Sequence, residues 1–165
     1  MEIKVYIVNL GKYTEGARNG EWFTLPVDLE DVKTKLGLVG DYEEYTIHDF
    51  EAPFKISEFE SLDNLNKIAV LFEEHAGNSA LKYCGEIMDE IGYTISDFFD
   101  SIDSVIVYEE CHLWSDYARY IVYKGDLGDL TDKVKGYIDY TSLGRDLSFG
   151  TGVFQAGDGT IIQYE

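Results

Sequence analysis

The residues with the widest chemical repertoire in this 165-residue chain are three histidines (His48, His75, His112) and two cysteines (Cys84, Cys111). Cys84 and His75 with the adjacent pair Cys111-His112 would supply four zinc ligands, but their spacing matches neither C-x-x-C nor H-x-x-x-H. Asp97, Asp100 and Asp103 recur at every third residue. A calcium loop of the EF-hand kind needs acids at alternate positions and a glycine at the sixth, whereas every third residue makes one acidic face of a helix. There is no G-x-S-x-G, and no histidine has a nucleophile at motif spacing. Asp49 and Glu51 are a carboxylate pair of the kind that hydrolyses glycosides, yet among 32 acids one such pair carries little information. Gly150, Gly152, Gly157 and Gly159 lack the G-K-[ST] of a phosphate loop and are explained by turns. What remains is charge.

Thirty-two acids against thirteen bases give a net charge of −19 and a sequence pI near 4.3. Nucleic acid is disfavoured as a partner, because its phosphates would be repelled; a basic partner, or solubility alone, fits better. Residues 83–118 hold nine carboxylates (Glu86, Asp89, Glu90, Asp97, Asp100, Asp103, Glu109, Glu110, Asp116) and no Lys or Arg. Residues 35–55 enclose five more (Asp41, Glu43, Glu44, Asp49, Glu51) between Lys35 and Lys55. Apolar residues such as Ile87, Met88, Ile91, Phe98, Phe99, Ile102 and Trp114 are threaded between the acids, so this is no self-repelling disordered tail. Folding would fix the charges in space. Two cysteines are too few for a disulfide framework, no signal peptide opens the sequence, and no apolar run is long enough to span a membrane. A soluble, cytoplasmic protein without membrane association is expected.

The elements that would position these acids follow from hydrophobic period. Residues 2–8 and 22–25 read as strands around a polar loop, and Asp28 caps a short helix that buries Val32 and Leu36 and stops at Gly37. Tyr45, Ile47 and Phe50 alternate among acids. Ser61 caps a helix carrying Leu62, Leu65, Ile68, Ala69 and Phe72; a second follows from Ser79 to Gly92, and a third runs through Phe98, Phe99 and Ile102. From Val105 the period returns to two, and residues 117–123, YARYIVY, read as a strand. Residues 131–140 read as a helix with Val134, Tyr137 and Ile138 inward, then a helical turn ends near Gly144 and a hairpin closes the chain over 152–164. The expected fold is α+β, in three small consecutive domains: α+β over 1–61, an all-α helical bundle over 62–103, and α+β over 104–165. Residues 1–60, 61–103 and 104–165 carry −7, −7 and −5, so the charge runs along the whole chain.

One resemblance extends this reading. The opening VYIVNLGKYTEGARNGEWFTLPVD resembles the ArdA antirestriction family, in which a strand leads into N-L-G-x-Y-x-x-G and then G-x-W-x-x-L-P. The matching positions are Asn9, Leu10, Gly11, Tyr13, Gly16, then Gly20, Trp22, Leu25 and Pro26. It continues through EEYTIHDFEAPF (43–54), LDNLN (62–66) and YIDYTSLGRDL (137–147), in order along nearly the whole chain. The resemblance implies a non-enzymatic inhibitor of type I restriction–modification enzymes that mimics DNA and occupies their DNA-binding groove. It also implies carriage on conjugative plasmids or transposons, an elongated three-domain shape, a homodimer, no cofactor and no metal. The partner-binding surface it implies comprises Asp41, Glu43, Glu44, Asp49, Glu51, Glu58, Glu60, Asp63, Glu73, Glu74, Glu86, Asp89, Glu90, Asp97, Asp100, Asp103, Glu109, Glu110 and Asp116. Sheet edges in residues 104–165, YARYIVY among them, are the expected dimer contact, since that part is least negative. The competing readings are a small acidic hydrolase or metal-binding enzyme, and an acidic adaptor for another basic partner. Duplex DNA carries one charge per ~1.7 Å of axis, so nineteen charges correspond to roughly 30 Å, or about ten base pairs.

Overall fold

Strand β1 (Ile3–Asn9) is central to the first sheet, flanked antiparallel by β2 (Gly20–Leu25) and β3 (Tyr45–Glu51). Ile3, Val5 and Ile7 lie opposite Leu25, Phe23 and Glu21, so the period-two pattern sends one row of side chains into a core with Phe23, Leu25 and Ile47. The protein is described by a computed structural model that covers residues 1–16, 19–40 and 44–164. It divides into two compact units, residues 1–95 and 96–165.

In the first unit, the polar loop expected after β1 begins with a one-turn helix, α1 (Leu10–Thr14). Its cap is Asn9, a fully buried residue whose side chain accepts a hydrogen bond from Lys12 N–H and donates to the carbonyls of Leu36 and Gly37. Asn19 also donates to the Leu36 carbonyl, at 2.8 Å. The two asparagines thus satisfy the end of α2 (Leu29–Leu36), which Asp28 caps and which terminates at Gly37 with φ +63°. Asn66 exchanges two hydrogen bonds with the backbone of Val27, tying the segment after β2 to α3 (Leu62–Glu74). Helix α3 buries Leu62, Leu65, Ile68, Ala69 and Phe72, and Phe72 stacks on Phe54 with ring centres 5.7 Å apart. A 3-10 turn over Ser79–Tyr83 leads into α4 (Cys84–Ile91), which buries Cys84 and Ile87 and stops at Gly92 in the left-handed region. Gly85 donates its N–H to the Pro53 carbonyl at 2.8 Å, where a Cβ would stand 2.5 Å from that oxygen.

Helix α5 (Ile95–Ser101) starts at the unit boundary and buries Phe98 and Phe99. In the second unit, β4 (Ile106–Tyr108), β6 (Ile161–Gln163) and β5 (Val153–Gln155) form an antiparallel sheet in the order β4-β6-β5, with the expected closing hairpin. Residues 117–123 are not a strand. They belong to α6 (Trp114–Lys124), whose buried Tyr117, Ala118, Ile121 and Val122 make one helical face. YARYIVY therefore supplies no sheet edge for a dimer contact. The helix expected over 131–140 shrinks to α7 (Asp132–Lys135): Gly136 follows at once, and Val134 and Tyr137 point to solvent instead of inward. The helical turn near Gly144 is a full helix, α8 (Tyr140–Leu147), running past that glycine. Gly144 is buried against α6, where a Cβ would meet the Trp114 carbonyl at 2.5 Å. The molecule is α+β, and residues 62–104 contain helices and 3-10 turns but no strand.

Candidate functional site

The acidic helices are built so that burial of one side displays the other. In α3, α4 and α5, Leu62, Leu65, Ile68, Ala69, Phe72, Cys84, Ile87, Phe98 and Phe99 are buried, while Asp63, Glu73, Glu74, Glu86, Asp89, Glu90, Asp97 and Asp100 are exposed. Asp103, in the short 3-10 turn after α5, is exposed as well. Of the remaining predicted surface, Glu44, Asp49, Glu51, Glu58, Glu109 and Glu110 are exposed, and Glu60 and Asp116 are half-buried. Asp41 and Glu43 lie outside the described residues. Among the described residues no carboxylate is buried. Every predicted acid that is described therefore reaches water.

Some of these acids have internal duties. Asp116 accepts from the Leu113 N–H at the start of α6, and Glu58 accepts from the Thr46 hydroxyl. Glu51 pairs with Lys4 at 3.2 Å and Asp89 with Lys55 at 2.7 Å. For Asp63, Glu73, Glu74, Glu90, Asp100, Asp103, Glu109 and Glu110, no cationic side chain stands within ion-pair distance among the described residues. The cations are largely engaged elsewhere. Lys33 pairs with Glu30, Lys124 with Asp126 and Arg145 with Asp146, while Arg119 and Lys135 lie over the rings of Tyr140 and Tyr123.

The placement of charge along the helices is the telling feature. A helix C-terminus carries partial negative charge, so cations stabilise its last turn and acids destabilise it. Helices α2, α6, α7 and α8 follow the rule with Lys or Arg in the last turn. Helices α3, α4 and α5 have no base there and instead end in Glu73-Glu74, Asp89-Glu90 and Asp100. At about 0.3–1 kcal/mol for each misplaced charge, the five acids forgo on the order of 2 kcal/mol of stability. A surface selected for stability or solubility alone gains nothing by putting them there.

Among the described residues no group of three or more His, Cys, Asp or Glu side chains is placed to hold a metal. Cys84 and Cys111 are buried free thiols; burial pushes Cys84 up to about 12, and burial followed by Asp116 and Glu110 raises Cys111. His75 contacts the Leu71 carbonyl through Nδ1 at 2.9 Å, and His48 meets the Tyr13 ring edge-on. Other acids left out of the predicted surface, Asp129 and Asp158 of the second unit among them, are exposed as well. A plain count of acids along residues 119–165 would have included them. No described helix is long and apolar enough to cross a membrane.

The fold and surface define an acidic α+β protein that holds a field of carboxylates outward on helices. The sequence model of the family described as antirestriction protein (ArdA) matches residues 5–162. The chain belongs to the ArdA antirestriction family, whose members are non-enzymatic and have restriction enzymes as their partners. No curated protein matches the chain in a direct sequence comparison.

Proposed function

We propose that the protein inhibits type I restriction–modification enzymes by mimicking DNA, occupying their DNA-binding groove in competition with the duplex and without catalysis of its own. The observation that carries this reading is the set of acids at the C-terminal ends of α3, α4 and α5, held there against the helix dipole with no base in the same turn. A groove lined with Lys and Arg for phosphates accepts carboxylates at similar density. A folded array has already lost the entropy that a flexible polyanion would lose on docking. Contacts of the phosphate kind carry no base information, so an inhibitor of this sort acts on enzymes with different target sequences.

In this reading the chain works as three consecutive parts, with residues 62–103 as the helical centre, and as a cytoplasmic homodimer that doubles the charged length. Conjugative plasmids and transposons, which enter new hosts as unmodified DNA, are the setting in which such an inhibitor is useful. The direct test adds purified protein to a type I enzyme acting on unmodified DNA and follows both cleavage and methylation. Inhibition relieved by excess DNA supports the reading; undiminished activity at saturating protein rejects it. Sedimentation at micromolar concentration tests the dimer, and monomer alone would reject that part.

A further inference from the structure

The acidic surface of the first unit contains a groove of about 340 Å³ between α4 and the chain that runs from the end of β3 to Lys55. Phe50, Pro53 and Met88 give it apolar walls, and Lys55, Glu86 and Asp89 stand at its rim. The groove exists because α4 approaches the chain at Pro53 closely enough to exclude any side chain at position 85. Its volume is at the low end of the roughly 300–1,000 Å³ of small-molecule sites, a size suited to one long side chain. The two rim acids are three residues apart on α4 and so stand side by side.

A cation already occupies the rim. Lys55 Nζ lies 2.7 Å from Asp89 Oδ2, although the two side chains are 84% and 66% exposed. An ion pair this exposed is weak and readily exchanged. We propose that the groove receives an arginine side chain from the DNA-binding surface of the restriction enzyme, and that Lys55 holds its place until then. This rests on the DNA-mimic reading and identifies one contact within it. Charge complementarity selects the occupant. A guanidinium presents a flat face to Phe50 and the Met88 thioether, and its forked N–H groups reach the paired carboxylates of Glu86 and Asp89. An ammonium offers neither the plane nor the fork.

Because Lys55 competes with the incoming arginine, removing it strengthens inhibition at this groove beyond the effect of one lost positive charge. The experiment compares Lys55→Ala with Lys67→Ala by titrating inhibition of a type I enzyme. Lys67 is exposed on α3, with no acid at ion-pair distance among the described residues, and its removal changes net charge equally. Lys55→Ala is expected to be about 2- to 5-fold more potent than the parent, and Lys67→Ala within ~1.5-fold of it. In the same assay Glu86→Gln with Asp89→Asn should weaken inhibition several-fold more than Glu73→Gln with Glu74→Gln, with folding checked by circular dichroism. Equal potency of the two lysine variants, or equal losses from the two acid pairs, overturns the proposal and leaves the mimic reading standing. Failure of the parent protein to inhibit removes the reading itself, and the groove's partner with it.

Discussion

If the acids that close α3, α4 and α5 are kept for binding, removing their charge should make the protein more stable and a worse inhibitor at once. The perturbation is the combined variant Glu73→Gln, Glu74→Gln, Asp89→Asn, Glu90→Gln and Asp100→Asn. All five side chains are exposed and none caps a helix start, so the substitutions leave cores and caps intact. Relief from the helix dipole at about 0.3–0.5 kcal/mol per site gives roughly 2 kcal/mol. Loss of the exposed Lys55–Asp89 pair takes back under about 1 kcal/mol. A net gain of 1–2 kcal/mol, at roughly 2–4 °C per kcal/mol for a chain of this size, raises Tm by about 2–8 °C. Each lost contact with a basic groove costs about 0.5 kcal/mol, and these add across separated sites to roughly 2.5 kcal/mol. That is a loss of potency between about 10- and 100-fold, at 1.4 kcal/mol per tenfold. Any one of Glu73, Glu74, Glu90 and Asp100 alone should change potency only about twofold. Thermal unfolding by circular dichroism and a titration of restriction inhibition read the two quantities. A variant that is less stable and inhibits as well as the parent would refute the reasoning. So would a single substitution that abolishes inhibition in a folded protein, because that marks a localised site.

Other outcomes can be checked on the protein alone. Gly144→Ala places a methyl 2.5 Å from the Trp114 carbonyl, so α6 and α8 must move apart; on the order of 2 kcal/mol of stability should be lost, visible as a lower urea midpoint. Both thiols should resist alkylation in the folded protein at pH 8 and react on unfolding, since burial raises Cys84 and Cys111. Cys84 ionises near 9 when exposed and is pushed up to about 12 when folded, so the unfolded state loses its proton first; the stability that Cys84 lends is complete below pH 9 and is lost as pH rises towards 12. Unchanged denaturant midpoints across that range would contradict the assignment. Asp139 caps α8, and its carboxylate accepts from the Ser142 hydroxyl and from the Ser142 and Thr141 N–H groups, which lowers its pKa. Its contribution is present above the ordinary carboxylate range and is lost as pH falls through the depressed value. The Tm difference between parent and Asp139→Ala should therefore narrow on acidification.

Family membership, the α+β class and the outward acids were legible in the sequence because each rests on local information. Asp28 and Gly37 bracket α2, and Leu62, Leu65, Ile68, Ala69 and Phe72 repeat at helical spacing, so core-facing and water-facing sides of the central helices followed from period alone. An acid between two inward residues of such a helix has nowhere to point but outward. The error at 117–123 has the opposite origin. Tyr, Ile and Val favour strands, but that preference is weak and yields to packing. Tyr117, Ala118, Ile121 and Val122 share a helical face against Tyr140 and Leu147, and Gly125 with φ +93° ends the helix just beyond Lys124. The contact between α6 and Gly144, which depends on a helix distant in sequence, decided the matter. The groove beside Gly85 was likewise invisible in the chain: its walls come from residues 50–55 and 85–89, and only their approach in space makes one surface of them.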